Sequence, residues 1–267
     1  MNRLSLAPLT ISEAAPLDLI DAAAAGGFDA VALRVVDPPG VTGRAPPGID
    51  VAAIRKRLSE TGITVFATTG IWLTPDFTAA DAVAPLETAA ALGAEYCLAA
   101  GFDDDSARLS DNFSALCRAA AARGLRIGIE FMPYLPVRTV ADAARLIRGA
   151  AQPNAGIIVD ALHLARSGGS AADVAAIDPA LIAYAQLCDA PRERPAGMER
   201  REESLRHRLY PGEGELPLFD LMDALPRGVT IDLEAPVAAD AALPFAERGR
   251  RAGDATRKFL KAYRERG

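Results

Sequence analysis

Residues 126–160 read RIGIEFMPYLPVRTVADAARLIRGAAQPNAGIIVD, a segment with two short apolar runs and a longer Ala-rich stretch between them. The apolar runs, Arg126–Phe131 and Gly156–Val159, have the length and composition of buried strands. The stretch between them, Thr139–Ala150, is amphipathic and typical of a helix. A strand, a helix and a second strand in this order predict parallel pairing through a right-handed crossover.

The same alternation extends in both directions and gives eight strand–helix units along the chain. Eight such units in about 250 residues predict a single (β/α)8 TIM barrel, which we assign to residues 1–267 as one α/β domain. A doubly wound sheet is the alternative, but no GxGxxG motif follows the first strand. The predicted strands are Leu4–Leu9, Ala30–Val35, Ile63–Thr68, Glu95–Ala99, Arg126–Phe131, Gly156–Val159, Ile182–Leu187 and Val229–Leu233.

The amino-acid composition of the chain argues against several classes of binding partner. The chain has 29 basic and 35 acidic residues, and its formal charge of −6 argues against nucleic acid or an anionic membrane as the main partner. It contains no run of 18 apolar residues, and its first residues lack the pattern of a signal peptide, so we expect a cytoplasmic protein. Cys97, Cys117 and Cys188 have no CxxC spacing, which predicts buried free thiols rather than disulfides or a cysteine-rich zinc site.

Four polar residues stand at or near the ends of consecutive predicted strands. In a TIM barrel these strand ends face the active-site mouth, so the four side chains are expected to converge. Three buried carboxylates and an amide would repel one another or remain unpaired without a cation. A divalent metal ion resolves this, and all-oxygen ligands favour Mn²⁺ or Mg²⁺, with Co²⁺ and Zn²⁺ as alternatives. For each residue alone, a salt bridge or a strand-end cap is the competing interpretation. The four are Glu130, Asp160, Gln186 and Glu234.

Two further residues lie close to these strand ends in sequence. His163 follows the strand-six aspartate by three residues and could act as a general acid or base or bind a substrate oxygen. The alternative is a hydrogen-bonded loop histidine. Arg208 precedes the turn PGEG and could hold a hydroxyl, carboxylate or phosphate of a ligand. The alternative is a turn in which Arg208 pairs with Glu213.

The remaining candidates lie in loops on the same predicted face. Arg34 ends the second strand and Trp72 follows the third, so both are candidate substrate contacts. Arg34 could instead pair with Asp37, and a buried Trp is often part of the core. The segment 192–207, RERPAGMERREESLRH, reads by composition as a solvated loop or a short surface helix, but its position after strand seven places it at the mouth.

Several motifs occur in an order that resembles the xylose-isomerase-like TIM-barrel superfamily, which includes the sugar phosphate isomerases and epimerases. The resemblance covers nearly the whole chain, and its more specific part is Asp-x-x-His followed by PGxG. It implies that Glu130, Asp160, Gln186 and Glu234 bind the metal, while His163 and Arg208 contact substrate oxygens. The motifs are GFDAVALRV (27–35), GIEFMP (128–133), VDALH (159–163), QLCDAP (186–191), RLYPGEG (208–214) and IDLEAP (231–236).

The chain departs from part of this superfamily at two places. Ketose 3-epimerases usually carry His where Gln186 stands, and a second Glu soon after the strand-five ligand, where this chain has MPYLP (132–136). With two histidines, the chain also departs from the endonuclease branch. A Gln at the strand-seven position is similar to 3-dehydroshikimate dehydratases of the same superfamily.

The predicted function is therefore a metal-dependent sugar or sugar phosphate isomerase/epimerase acting on a keto-polyol. A dehydratase of the 3-dehydroshikimate or inosose type is the alternative. In both, a base removes a proton beside a metal-chelated carbonyl. Glu130 and Glu234 would serve opposite faces of the substrate in the epimerase, and His163 would be the base in the dehydratase. A third hypothesis is a barrel that binds a sugar or cyclitol without catalysis. Residue patterns leave the oligomeric state open, with a homo-oligomer among the alternatives.

Overall fold

The computed structural model describes residues 2–37 and 49–266 and contains a closed barrel of eight parallel strands in chain order. This confirms the predicted (β/α)8 architecture. The predicted domain, 1–267, includes Met1, residues 38–48 and Gly267, which lie outside the described residues. The strands are β1 Leu4–Leu6, β2 Ala30–Arg34, β3 Thr64–Leu73, β4 Tyr96–Gly101, β5 Arg126–Glu130, β6 Ala155–Asp160, β7 Ile182–Leu187 and β8 Ile231–Leu233.

Helices connect the strands, and their ends follow local sequence signals. Asp50 caps the start of the helix Val51–Thr61 by accepting a hydrogen bond from the Ala53 amide, and Thr139 and Asp142 form a reciprocal capping box at the start of the helix Val140–Ala150. The helices are α1 Pro16–Ala25, α2 Val51–Thr61, α3 Val83–Leu92, α4 Ser106–Ala121, α5 Val140–Ala150, α6 Ala161–Arg166, α7 Ala171–Ala175, α8 Arg200–Arg206, α9 Leu218–Ala224 and α10 Phe245–Glu265.

Aromatic rings fill the lower part of the barrel. Tyr184 of β7 contacts Phe66 of β3 and Tyr96 of β4, with ring centroids 5.0 and 5.5 Å apart. Since β7 is not adjacent to β3 or β4, these contacts cross the barrel interior. Gly128 of β5 leaves room for them, because a Cβ at this position would lie 3.4 Å from the Tyr184 ring and 2.7 Å from Ile158. The interior is therefore packed below the level of the strand ends.

The first and last helices pack in close backbone contact. A Cβ on Gly249 of α10 would lie 2.0 Å from the Ala22 carbonyl oxygen, and one on Gly253 would lie 2.0 Å from the Gly26 oxygen. Only glycine permits this approach. Together with the β1–β8 pairing, the contact between α1 and α10 completes the ring.

Three segments differ from the expected elements. The predicted strand Leu4–Leu9 is shorter, because Pro8 begins a 3-10 turn, and β3 extends beyond the predicted end at Thr68 to Leu73. The short helix α6 directly follows β6, where a loop was the alternative for His163. Within residues 2–37 and 49–266, no helix has the length and apolar character needed to cross a membrane.

Candidate metal and substrate site

The four predicted metal ligands stand at the carboxyl ends of neighbouring strands. Glu130 is the last residue of β5, Asp160 the last of β6, Gln186 lies near the end of β7, and Glu234 directly follows β8. All four are buried, with at most 7% of any of them exposed to solvent. Parallel strands deliver these side chains to the same end of the barrel, where TIM-barrel enzymes carry their active sites.

Asp160 connects the strand ends to His163. Asp160 is the N-cap of α6, and its Oδ1 accepts a hydrogen bond of 2.8 Å from the His163 amide. The first turn of α6 then places the His163 imidazole 3.6 Å from a carboxylate oxygen of Glu130. One donor atom from each of Glu130, Asp160 and His163 lies within 4.8 Å of the other two, close enough to share one metal ion.

Arg208 lies inside this cluster of acidic side chains. Its Nη1 donates to Asp160 Oδ2 at 2.6 Å and to the Glu234 carbonyl at 3.1 Å, and its Nη2 lies 3.3 Å from Glu234 Oε2. Its Nε donates to the Ser204 carbonyl at 2.8 Å. The guanidinium is 1% exposed and bridges two of the predicted metal ligands, so it is not paired with Glu213 as the turn-based alternative proposed.

The turn after Arg208 is built around a buried aspartate. Asp189 accepts hydrogen bonds from the amides of Gly212, Leu216 and Ala190. Its backbone also pairs with Leu209 in an isolated antiparallel bridge. These contacts fix the PGEG turn, and through Leu209 they hold the neighbouring Arg208 against the strand ends.

Burial and mutual repulsion shift the ionisation of the cluster. Burial raises the pKa of Glu130 well above its usual value, and the nearby carboxylates of Glu234 and Asp160 raise it further. Burial also opposes ionisation of Asp160, but the Arg208 guanidinium holds the pKa of that carboxyl below its usual value. Burial lowers the pKa of His163 to about 4, so the imidazole is neutral at pH 7 and can accept a proton.

The surroundings of Gln186 fit a ligand position. Gln186 is in register with Asp160 on one side and Asp232 on the other. It is fully buried, and within the described residues neither its Oε1 nor its Nε2 has a hydrogen-bond partner. An unpartnered buried amide is costly, and a cation beside Oε1 would remove part of that cost. Carboxylate, amide and imidazole donors together suit a divalent metal ion.

A pocket with a volume of about 90 Å³ opens above these side chains. Its lining includes Glu130, His163, Arg208 and Glu234. Arg34 and Trp72, the two predicted substrate contacts, also line it, with Arg34 at the end of β2 and Trp72 within the extended β3 and not after that strand. Arg34 lies 3.4 Å from Asp37, as the alternative interpretation expected, so it combines an ion pair with a place in the pocket wall.

Sequence reasoning missed several residues of the pocket wall. One side is apolar and includes Phe102 and Met132 beside Trp72, whose ring meets that of Phe102 edge to face at 5.8 Å. The wall also includes Tyr134 from the loop after β5, which packs against the same apolar cluster, and Arg201 from α8. The position of the segment 192–207 after β7 was the available signal for Arg201, and no sequence signal marked Tyr134.

The helix α8 is fixed to the barrel by buried polar contacts. Glu203 is fully buried and accepts three hydrogen bonds of 2.7–3.1 Å from the Arg166 guanidinium at the end of α6. Arg166 also donates to the carbonyls of Pro191 and Arg192 at the start of the segment. Ser204, the next residue of α8, has its Oγ 2.9 Å from the Tyr134 hydroxyl. The helix α8 is therefore part of the site wall, whereas most of residues 192–199 are exposed, as the composition of the segment indicated.

Comparison with known proteins agrees with this architecture. A family model described as Xylose isomerase-like TIM barrel matches residues 20–262. The chain belongs to the xylose isomerase-like TIM barrel family. This confirms the resemblance based on the strand-end motifs, and it places the protein in a family that includes isomerases, epimerases and dehydratases.

Among curated relatives of this family member, a 3-dehydroshikimate dehydratase of Pseudomonas aeruginosa is 33% identical over 137 residues, which cover 51% of this chain and 21% of that protein. A second, from Pseudomonas putida, is 32% identical over 115 residues, which cover 43% of this chain and 18% of that protein. The matched segments thus span about a fifth of the length of these relatives.

Several solved structures share the fold. A xylose isomerase-like TIM barrel/4-hydroxyphenylpyruvate dioxygenase fusion protein superposes with a TM-score of 0.83 at 23% identity, over 99% of this chain and 43% of that one. The IOLI protein, solved with a bound zinc atom, has a TM-score of 0.82 at 18% identity, over 98% and 99% of the two chains. A D-allulose 3-epimerase from Methylomonas sp. has a TM-score of 0.73 at 18% identity, over 98% of each.

Proposed function

We propose that this protein is a divalent-metal-dependent dehydratase of a cyclic, hydroxylated keto acid of the 3-dehydroshikimate type. One observation carries the proposal: a single neutral base, His163, lies at the pocket floor 3.6 Å from Glu130, while the β5–α5 loop provides no second acid there. Elimination of water needs one base beside the carbonyl. The identity with two 3-dehydroshikimate dehydratases and the amide of Gln186 support the same class.

Glu130, Asp160, Gln186 and Glu234 would hold the metal ion, and His163 lies close to two of them, since its imidazole shares a cluster with Glu130 and Asp160. A bound divalent ion would polarise the substrate carbonyl and lower the pKa of the neighbouring C–H. The oxygen-rich set favours Mn²⁺ or Mg²⁺, with Co²⁺ or Zn²⁺ as alternatives. Arg208 would orient the carboxylates of Asp160 and Glu234 toward the ion.

The residues of the chain supply the proton transfers and the orientation. His163 accepts the proton from the carbon beside the carbonyl and then gives a proton to the departing β-hydroxyl, which leaves as water. The apolar wall of Trp72 and Phe102 holds a flat ring and excludes water from it. The ring becomes aromatic by tautomerisation after losing one water, so the reaction needs no oxidant or reductant.

An isomerase or epimerase remains the second candidate. Glu130 and Glu234 both line the pocket, as a reaction with proton transfer on two faces of a ketose requires. A D-allulose 3-epimerase is also among the proteins that share the fold. In this case the proton returns to the substrate and its carbon skeleton keeps all its hydroxyls. In either case we propose a small-molecule substrate and a cytoplasmic protein, since the three cysteines are buried and unbridged.

The test is proton exchange in D₂O, followed by NMR, with metal-loaded protein and a panel of 3-dehydroshikimate, inososes and ketoses. We expect 3-dehydroshikimate to give aromatic signals, and both Glu130→Gln and EDTA to abolish them. The exposed Glu213→Gln serves as the matched control. Deuterium beside the carbonyl of a ketose, without loss of water, would replace the dehydratase by the isomerase. If metal binds but no substrate exchanges deuterium or forms product, a non-catalytic binding protein is favoured.

A further inference from the structure

The pocket contains a guanidinium group that the proposed reaction does not use. Arg201, Ser204 and Leu205 of α8 line the pocket, at positions that share one face of a helix. The neighbouring Glu203 is buried against Arg166, and Ser204 contacts Tyr134. These two contacts hold the helix in place, so Arg201 has a fixed attachment point at the mouth of the pocket.

The charges of the pocket leave an anionic ligand few places to bind. At the floor, the carboxylates of Glu130, Asp160 and Glu234 outnumber the single guanidinium of Arg208 by two charges, which one divalent ion would balance. Such a floor gives no net attraction to a further carboxylate. A carboxylate on the substrate would therefore be recognised away from the floor.

We infer that Arg201 forms a carboxylate-binding subsite at the mouth of the pocket and selects cyclic substrates that carry a carboxylate on the side of the ring opposite the metal-chelating oxygens. The inference rests on the proposed function, because it takes the keto and hydroxyl oxygens to lie at the floor. Arginine suits this role, since its planar guanidinium can donate two parallel hydrogen bonds to a carboxylate. The apolar wall between floor and mouth would hold the ring in that orientation.

Two simple ligands separate the carboxylate from the rest of the substrate. 3,4-Dihydroxybenzoate and catechol share the pair of adjacent oxygens that chelates a metal ion, and only the former has a carboxylate. Calorimetry measures the binding of each ligand to the full chain, after the protein has been saturated with Mn²⁺ and the excess metal removed. The proteins compared are wild type, Arg201→Gln, Arg201→Lys and Arg206→Gln. Arg206 is exposed on the same helix and does not line the pocket, so it is the matched control.

We expect wild type and Arg206→Gln to bind the dihydroxybenzoate about tenfold or more tightly than catechol, as a charge-assisted hydrogen bond would give. Arg201→Gln should lose most of this preference, and Arg201→Lys should keep part of it. A preference that survives in Arg201→Gln overturns the assignment of Arg201. If the wild type binds both ligands equally, the subsite is wrong and the proposed function still stands. If the wild type binds neither ligand, both the subsite and the proposed function are wrong.

Discussion

Arg208 donates a hydrogen bond of 2.6 Å to Asp160, and both side chains are almost completely buried at the floor of the pocket. The same guanidinium lies 3.3 Å from Glu234. Without bound metal, Arg208 is therefore the cation that compensates these two carboxylates. Asp160 is the last residue of β6, Glu234 follows β8, and Arg208 follows α8. The contacts of Arg208 therefore connect three parts of the site.

Replacing Arg208 by Met should destabilise the metal-free protein by about 3–5 kcal/mol, because it leaves buried carboxylates unpaired. Added Mn²⁺ should reduce the difference from wild type, since the ion supplies positive charge to the same oxygens. Urea denaturation in EDTA and in Mn²⁺ measures both effects. Arg206→Met, at an exposed position, is the control. Wild-type stability of Arg208→Met in EDTA would contradict this account of the floor.

Glu203→Gln should loosen α8 while leaving the barrel folded. The substitution removes the charge that holds the Arg166 guanidinium, and the segment 192–206 loses its buried anchor. We expect trypsin to cleave this segment about tenfold faster or more, as local opening becomes easier. Glu202→Gln changes an exposed neighbour on the same helix, and trypsin should cleave this variant at the wild-type rate. Unchanged cleavage of Glu203→Gln would show that the ion pair does not hold the helix.

Asp232→Asn should change the pH dependence of stability in EDTA. Burial raises the pKa of Asp232 to about 8, and nearby Glu234 contributes, whereas an unfolded aspartate titrates near 4. The native state therefore keeps a proton that the unfolded chain releases, so this contribution to stability is complete below about pH 4 and is lost as the pH rises toward 8.

Because Asn does not titrate, the stability of Asp232→Asn relative to wild type should increase by on the order of 1 kcal/mol per pH unit between pH 5 and 8. Urea unfolding at each pH unit measures this difference. Asp220→Asn removes an exposed carboxylate and serves as the control. A difference that stays constant across the range would mean that Asp232 is ionised in the native protein.

Gly249→Ala and Gly149→Ala should have opposite effects. A Cβ at Gly249 would lie 2.0 Å from the Ala22 carbonyl, so α1 and α10 must separate, at a cost of about 1–3 kcal/mol or more. A Cβ at Gly149 of α5 would meet only Ser110 Oγ at 3.5 Å, and the higher helix propensity of Ala should add about 0.5–1 kcal/mol. The thermal unfolding temperature of each variant is compared with that of wild type. If both variants are destabilised, the two glycines do not differ in the way proposed.

The barrel and the strand-end residues could be predicted because they depend on local periodicity. Once the alternation predicts parallel strands, the position of a residue at a strand end determines that its side chain faces the mouth. Glu130, Asp160 and Gln186 were found in this way. The same argument identified Glu234, directly after β8, without any knowledge of its neighbours.

The contacts of Arg208 and Glu203 could not be predicted, because their partners are distant in sequence. Arg208 meets Asp160 across 48 residues, and Glu203 meets Arg166 across 37. In the sequence, Glu203 is one of several glutamates in a charged segment, and composition alone indicates a solvated surface. Glu203 is buried because the end of α6 places Arg166 beside it, and no local sequence pattern encodes that position.

The anchoring of α8 by Arg166 has a consequence for the rate of ligand binding. A wall segment that is ordered before the ligand arrives has lost its conformational entropy during folding, so that cost does not reduce the binding affinity. Association then requires no closing step of this helix, and a small ligand meets a wall segment that already has its final shape. Release of the ligand would likewise proceed without unfolding of α8.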